Sequence, residues 1–215
     1  TAHVASVAPV GFEGEIVDIE CDTSNGLPGV TIVGLGNKAI DEAKERIRSA
    51  ITNSRLEMPK KRITLNLAPA DLPKDGSSYE LPLALAILLV SKQIPAKSLE
   101  NTVVAGELSL DGSLRGTRGS INFVQAAKAA GYSRVILPLK GSEQAALIDG
   151  IEIIAAESLR DIYKMLNKKL QIPAMPLVEP NGVGSKNVVD FADVADQNLA
   201  KRALEIAAAG GHNIL

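Results

Sequence analysis

The sequence predicts a mixed α/β (α+β) fold in which helices pack on one mixed sheet, and three observations carry that expectation. The first third is rich in alternating, β-branched stretches parted by glycine turns. From about residue 60 to 168, strand-like and helix-like segments alternate with short links. The longest apolar run, residues 81–90, is far shorter than the roughly 20 residues a membrane helix needs, so it belongs to a protein core.

In chain order, residues 3–10, 15–22 and 30–33 read as strands, divided by Gly11, Gly14 and the turn Asn25-Gly26-Leu27-Pro28-Gly29. From Asn37 the period lengthens. Ile40, Ala43, Ile47, Ala50 and Ile51 share one helical face, and Glu42 and Arg46 form an i,i+4 pair on another. Residues 62–67 alternate as a strand. Residues 81–90 suit a helix buried on most sides, with Pro82 in the first turn, where its missing N–H is tolerated. There follow a strand at 102–108, a turn at Asp111-Gly112, a helix at 121–130 and a strand at 134–137. A further helix–strand pair is expected at 142–148 and 152–155. Ser158 and Asp161 have capping-box spacing for a helix that carries Leu159, Ile162, Tyr163 and Leu166 on one face.

Pro173, Pro176, Pro180, Gly182 and Gly184 mark linker composition. The expected organisation is a compact domain over 1–168, a linker over 169–189 and a further segment over 190–215. In that last segment Asp196 is placed to cap a helix through Ala209, Gly210-Gly211 to end it, and His212-Asn213-Ile214-Leu215 to begin a strand. One helix and a strand stub cannot bury a core, so the sequence reads as a piece of a longer protein.

Composition narrows the chemistry. The net charge is −2, from 23 basic and 25 acidic residues, which is not the footprint of a strong nucleic-acid binder. A single cysteine, Cys21, fits a reducing cytoplasm, and no Cys/His cluster has the spacing of a zinc or haem site. Aromatic content is 3% without tryptophan, a poor basis for base stacking. The glycine-rich Gly34-Leu35-Gly36-Asn37 opens a helix but lacks the lysine of a phosphate loop, and Asn37 is accounted for as an N-cap. Pro73-Lys74-Asp75-Gly76-Ser77-Ser78 precedes the buried helix. A serine hydroxyl there lies near helix N–H groups, a position that suits a nucleophile and equally a cap. Ser78 is the better cap, because capping by Ser77 with Glu80 would push Pro82 into the helix interior. The local basic residues are Lys60, Lys61, Arg62 and Arg55, with Lys44, Arg46 and Arg48 on the first helix. They are candidate phosphate contacts, or a solvated face, since Asp41, Glu42, Glu45 and Glu57 interleave with them.

Pro73-Lys74-Asp75-Gly76-Ser77-Ser78, and Gly106-Glu107-Leu108-Ser109-Leu110-Asp111-Gly112 continuing to Val135-Ile136-Leu137-Pro138, resemble the two blocks that carry the serine–lysine dyad of the Lon protease domain. The resemblance implies a fold like the Lon protease C-terminal domain and like domain 2 of ribosomal small-subunit proteins. The Lon nucleophile falls on Ser78. The Lon lysine, two residues after the glycine matched by Gly119, falls on Ile121, which cannot take a proton. Lys128 stands seven residues on, about 10 Å along the helix. Tyr79-Glu80 replace the small residues after the Lon serine and are expected to crowd a substrate channel. The resemblance thus implies a vestigial serine and no catalysis.

A resemblance over nearly the whole chain rests on Asn25-Gly26-Leu27-Pro28-Gly29-Val30-Thr31-Ile32-Val33-Gly34-Leu35, on Arg62-Ile63-Thr64-Leu65-Asn66-Leu67-Ala68-Pro69-Ala70-Asp71-Leu72 and on residues 106–112. These look like the N-terminal domain of the magnesium-chelatase-like AAA+ proteins, the ComM or YifB family. Asp190-Phe191-Ala192-Asp193-Val194 and residues 200–213 resemble the entry into that family's AAA+ module, although Asp196 stands where the family usually has glycine. In the family a Walker A loop follows within a few residues. The resemblance implies no cofactor in this chain, with ATP and Mg2+ bound by the parent protein. It further implies a hexameric ring as self-partner and a cytoplasmic DNA motor for branch migration. In such a motor this domain would support ring assembly and DNA contact, with no membrane partner. A serine peptidase using Ser78 and a pure oligomerisation module are the competing expectations.

Overall fold

Alternation sets the first hairpin. β1 (Ala2–Val10) and β2 (Glu13–Ser24) pair antiparallel, and β2 buries every second residue through Val17, Ile19 and Cys21. The computed structural model describes residues 1–10, 13–34, 37–70, 72, 77–117, 119–178 and 190–215, with the backbone alone at 37–41. After the hairpin come β3 (Gly29–Val33), α1 (Asn37–Asn53), β4 (Arg62–Ala68), α2 (Glu80–Val90), β5 (Thr102–Val104), β6 (Glu107–Leu108) and β7 (Leu114–Arg115). Next are α3 (Ser120–Ala129), β8 (Arg134–Pro138), β9 (Glu152–Ala156), α4 (Leu159–Leu166) and α5 (Asn198–Gly210). The strands form one mixed seven-stranded sheet in the order β3-β4-β2-β1-β5-β8-β9, and β6 and β7 make a separate small hairpin. Only the β1–β2 and β2–β4 ladders of the large sheet are antiparallel.

Two apolar clusters cover the two faces. On one, α2 lies on β1 and β2, and Leu83, Leu85 and Ile87 share a core with Ile19, Ile63 and Leu65. Residues 80–88 of α2 are all buried, as an apolar run without helical periodicity requires. Pro82 is the third residue of α2, where no intrahelical N–H is needed. On the other face, Phe123, Val124 and Ala127 of α3 pack with Val7, Val103, Val135 and Leu137. The β6–β7 hairpin docks on the end of α1. Gly112 sits at φ 87°, and a Cβ there would lie 2.2 Å from Ser54 Oγ. Beside it, Asn53 Nδ2 donates to the carbonyl of Leu110 at 2.7 Å.

Five local expectations are corrected. Residues 102–108 are not one strand: the backbone of Gly106 leaves the sheet to pair with the turn at Ser78, so β5 ends at Val104 and β6 begins at Glu107. Residues 142–148 form only a 3-10 turn, Ala145–Leu147, because four apolar residues between polar ends cannot sustain a longer helix. Asp196 does not cap α5. The N-cap is Gln197, without a side-chain bond, while Asp190 instead caps the 3-10 turn Phe191–Asp193 through a full capping box. Residues 212–215 have no strand structure, although Gly211 at φ 64° does end α5. Finally, part of the stretch read as linker is packed: Ala174 bridges Ile154, Met175 N–H donates to Ile153, and Ile172 joins the core margin.

Contacts divide the chain into two compact units, Thr1–Glu179 and Pro180–Leu215. Ser158 caps α4 as its spacing predicts, accepting from Asp161 N–H at 3.2 Å and donating to the Asp161 carboxylate at 2.7 Å. Among the described residues no helix is long and apolar enough to cross a membrane.

Candidate functional site

The serine position lies in a 3-10 turn, Ser77–Tyr79, at the entrance to α2. Gly106 N–H donates to the carbonyl of Ser78 at 2.8 Å, and Leu81 N–H to the carbonyl of Gly106 at 3.0 Å. These bonds lace the turn to the loop after β5. Ser78 is not the helix cap: that place is taken by Tyr79, in helical geometry and without a side-chain bond, because the preceding 3-10 turn already continues the spiral. Ser77 donates to the Glu107 carboxylate, and the other oxygen of Glu107 meets Arg115 at 3.4 Å. Lys74, Asp75 and Gly76 of the same motif lie outside the described residues.

Gly119, at φ 77°, precedes α3, and Ile121 is the second residue of that helix and half-buried. Lys128, further along the helix, donates Nζ to the carbonyl of Asp149 at 2.7 Å and is thereby tied to the loop before β9. Tyr79 and Glu80 do not crowd a channel as their bulk suggests. They turn into the protein, at 1% and 2% exposure. Tyr79 joins the core, and Glu80 finds partners: Arg46 Nε donates to Oε1 at 2.6 Å and Leu108 N–H to Oε2 at 3.0 Å. Burial pushes the Glu80 carboxyl above its ordinary value, outweighing the opposing pull of the Leu108 N–H and of Arg46. Glu80 is the residue that sequence reasoning undervalued, and its only signal is a carboxylate heading an otherwise apolar run. Cys21 is buried, and burial foremost pushes its thiol up to about 12, so it is no nucleophile.

The basic residues are partly gathered. Lys60 and Lys61, both exposed just before β4, line a cleft of about 370 Å³ with Lys44 and Arg48 of α1, over Met58 and Ile63. On their other side they line a second cleft of about 460 Å³ that reaches Lys92. Glu45 and Glu57 are the carboxylates of the two clefts. Helical geometry explains the selection on α1. Lys44 and Arg48 stand four residues apart on one side, while Arg46 is about 200° round the helix from Lys44 and faces Glu80. Arg46 therefore leaves the group of candidate phosphate contacts. Arg62 opens β4 exposed, and Arg55, exposed at φ 59°, lines neither cleft.

Comparison with known proteins fits this frame. The family model described as subunit ChlI of Mg-chelatase matches residues 19–141, and a second, magnesium chelatase subunit ChlI, matches residues 190–215. Competence protein ComM of Haemophilus influenzae is 42% identical over 217 residues, covering 100% of this chain and 42% of the relative. The protein YifB of Salmonella typhimurium is likewise 42% identical with the same coverage. Lon protease 2 of Bacillus subtilis is 38% identical over 97 residues, 44% of this chain and 17% of the protease. The chain thus spans about 42% of the length of the ComM and YifB proteins it matches. Since one ChlI model covers more than half of the chain and a second takes up its last 26 residues, the chain belongs to the magnesium-chelatase-like family of ComM and YifB, with a Lon-like stretch inside it.

Proposed function

We propose that this chain is a non-catalytic accessory domain of a longer, ComM-like AAA+ ATPase. It supports ring assembly and DNA engagement in ATP-driven branch migration during recombination or natural transformation in the cytoplasm. One observation carries the DNA part: four cations, Lys44, Arg48, Lys60 and Lys61, converge on one cleft of a chain whose net charge is negative. Cations spaced along a groove match the regular phosphates of a nucleic-acid strand and need no base contact. The non-catalytic part rests on Ile121, an alkyl side chain where a Lon-type base would stand. The 215 residues contain no G-x-x-x-x-G-K-[ST] loop, and on this reading ATP and its Mg2+ are bound by another part of the parent protein.

The test is binding of a fluorescent DNA, duplex and single-stranded, across a salt series. The expected affinity falls linearly in log salt, at about 0.9 per phosphate neutralised on a duplex. Lys60→Ala with Lys61→Ala should reduce that slope by about 2. A slope unchanged by the pair removes the cleft from DNA contact, and absence of salt-sensitive binding leaves a pure oligomerisation module. The Lys74-Asp75-Gly76-Ser77-Ser78 block that survives in the sequence keeps one enzymatic alternative in view, a serine peptidase at Ser78 with a base from elsewhere. Covalent labelling of Ser78 by a serine-directed phosphonate, with casein cleavage, would establish it in place of the accessory role.

A further inference from the structure

We infer that His3, Asp18 and Glu20 form a surface site for a divalent cation of the zinc class. Sequence spacing conceals it, because the ligands come from two strands and are joined only by register. His3 on β1 stands directly opposite Glu20 on β2, and Ala5 opposite Asp18, so Asp18 is the diagonal neighbour of His3. Residues 18 and 20 are two apart and share one face of the strand. His3 Nδ1 and Asp18 Oδ2 are 2.9 Å apart, and the ligand atoms of all three residues lie within 4.8 Å of one another. An ion with bonds of about 2.0–2.2 Å to nitrogen and oxygen holds tetrahedral ligands roughly 3.4 Å apart. Small rotations of the side chains reach that arrangement.

Three further features point the same way. On the strand beyond, β4, Asn66 stands opposite Glu20 and its Nδ2 donates to Glu20 Oε2 at 2.8 Å. That bond fixes the carboxylate and leaves Oε1 for an ion, as outer hydrogen bonds do for metal-bound carboxylates. Two carboxylates stand beside one imidazole, so a dication has both anionic and nitrogen donors to hand. The His3 and Asp18 side chains are 56% and 46% exposed, which gives the ion an entry path and leaves open coordination positions for water. A nitrogen ligand selects the zinc class over magnesium, which prefers oxygen in near-octahedral order.

The experiment is calorimetric titration of zinc and of magnesium into the untagged, metal-stripped chain. One zinc per chain at micromolar affinity is expected, with magnesium at least 100-fold weaker. His3→Ala and Glu20→Gln should each weaken zinc at least tenfold while leaving the circular dichroism spectrum unchanged, since neither side chain is part of the buried core. His212→Ala should leave binding intact. Failure to bind zinc, or binding equally tight in His3→Ala, overturns the site. Loss in His3→Ala with none in Glu20→Gln reduces the group to an ordinary His3–Asp18 pair and overturns it too. Loss on His212→Ala alone assigns the zinc elsewhere and likewise overturns the site.

Discussion

Arg46 and Arg48 stand two residues apart on α1 and meet different surroundings. Arg46 Nε donates to a carboxylate that is 2% exposed, whose second oxygen is held by the backbone of Leu108. Arg48 is exposed and shares a cleft with Lys44, Lys60 and Lys61. The first cation joins α1 to α2 and to the β6 strand, and its charge is committed to the fold. The second is available to an outside anion. Like residue types on one helix thus divide by the side they face, one paired within the fold and the other lining an exposed cleft. The division can be tested, because charge removed from the buried side should cost stability and charge removed from the cleft side should cost only binding.

The largest effect is expected for Arg46→Ala. Glu80 would keep its burial and lose its counter-charge, costing about 2–3 kcal/mol at neutral pH in urea unfolding. The sign with pH follows from the raised Glu80 carboxyl. A folded-state value above the unfolded one means that the stabilising form is the protonated one. It is fully present below the ordinary value of 4.5 and is lost as pH rises through the folded value. Removing Arg46 raises the folded value further, so the variant should lose more stability with rising pH than the parent chain. Adding Glu80→Gln should recover much of the loss at pH 7, and an equal loss at pH 4.5 and pH 7 would show that the pair is not electrostatic in effect.

A smaller loss is expected at the junction of α1 with the β6–β7 hairpin. Gly112→Ala places a methyl against Ser54 Oγ at 2.2 Å and the Ala50 carbonyl at 3.2 Å, at a φ of 87°. About 2 kcal/mol is expected. Gly131 is the control, at φ 84° with nothing within 4 Å of a built Cβ. Gly131→Ala should cost only the backbone strain, about 1 kcal/mol. Equal melting temperatures for the two variants would show that the hairpin does not press on α1.

Legibility divides between local signals and contacts made across the sequence. Alternation revealed β1, β2 and β4, and the run at 81–90 revealed α2 with Pro82 in its first turn, because each signal is local and repeated. What stayed hidden depends on residues far apart in sequence. The break of the 102–108 segment is caused by Gly106 pairing with Ser78, 28 positions earlier, and no local pattern records that. The Glu42–Arg46 pair was legible at i,i+4 and is present at 3.3 Å, yet the stronger partner of Arg46 is Glu80. Of the basic residues, Lys60 and Lys61 were found by adjacency in the chain. Their grouping with Lys44 and Arg48, and the separation of Arg46 and Arg55 from the clefts, needed the packing of α1 beside β4. His3, Asp18 and Glu20 needed the β1–β2 register.

The smallest effect on stability, and the sharpest on the comparison, belongs to Lys60→Ala with Lys61→Ala. Both side chains are exposed, and exposed charges away from a cap or a buried partner contribute within about 0.5 kcal/mol. The urea midpoint of the double variant should therefore match that of the parent chain, while DNA affinity at low salt falls at least tenfold. Arg46→Ala, assayed under conditions where it remains folded, should do the opposite: it lowers the midpoint and leaves the salt slope unchanged, because its guanidinium is already spent on Glu80. If Arg46→Ala lowers the slope as much as the lysine pair does, the two sides of α1 are one electrostatic surface. The buried pair would then be part of the DNA contact, and the distinction between fold and function along this helix would fail.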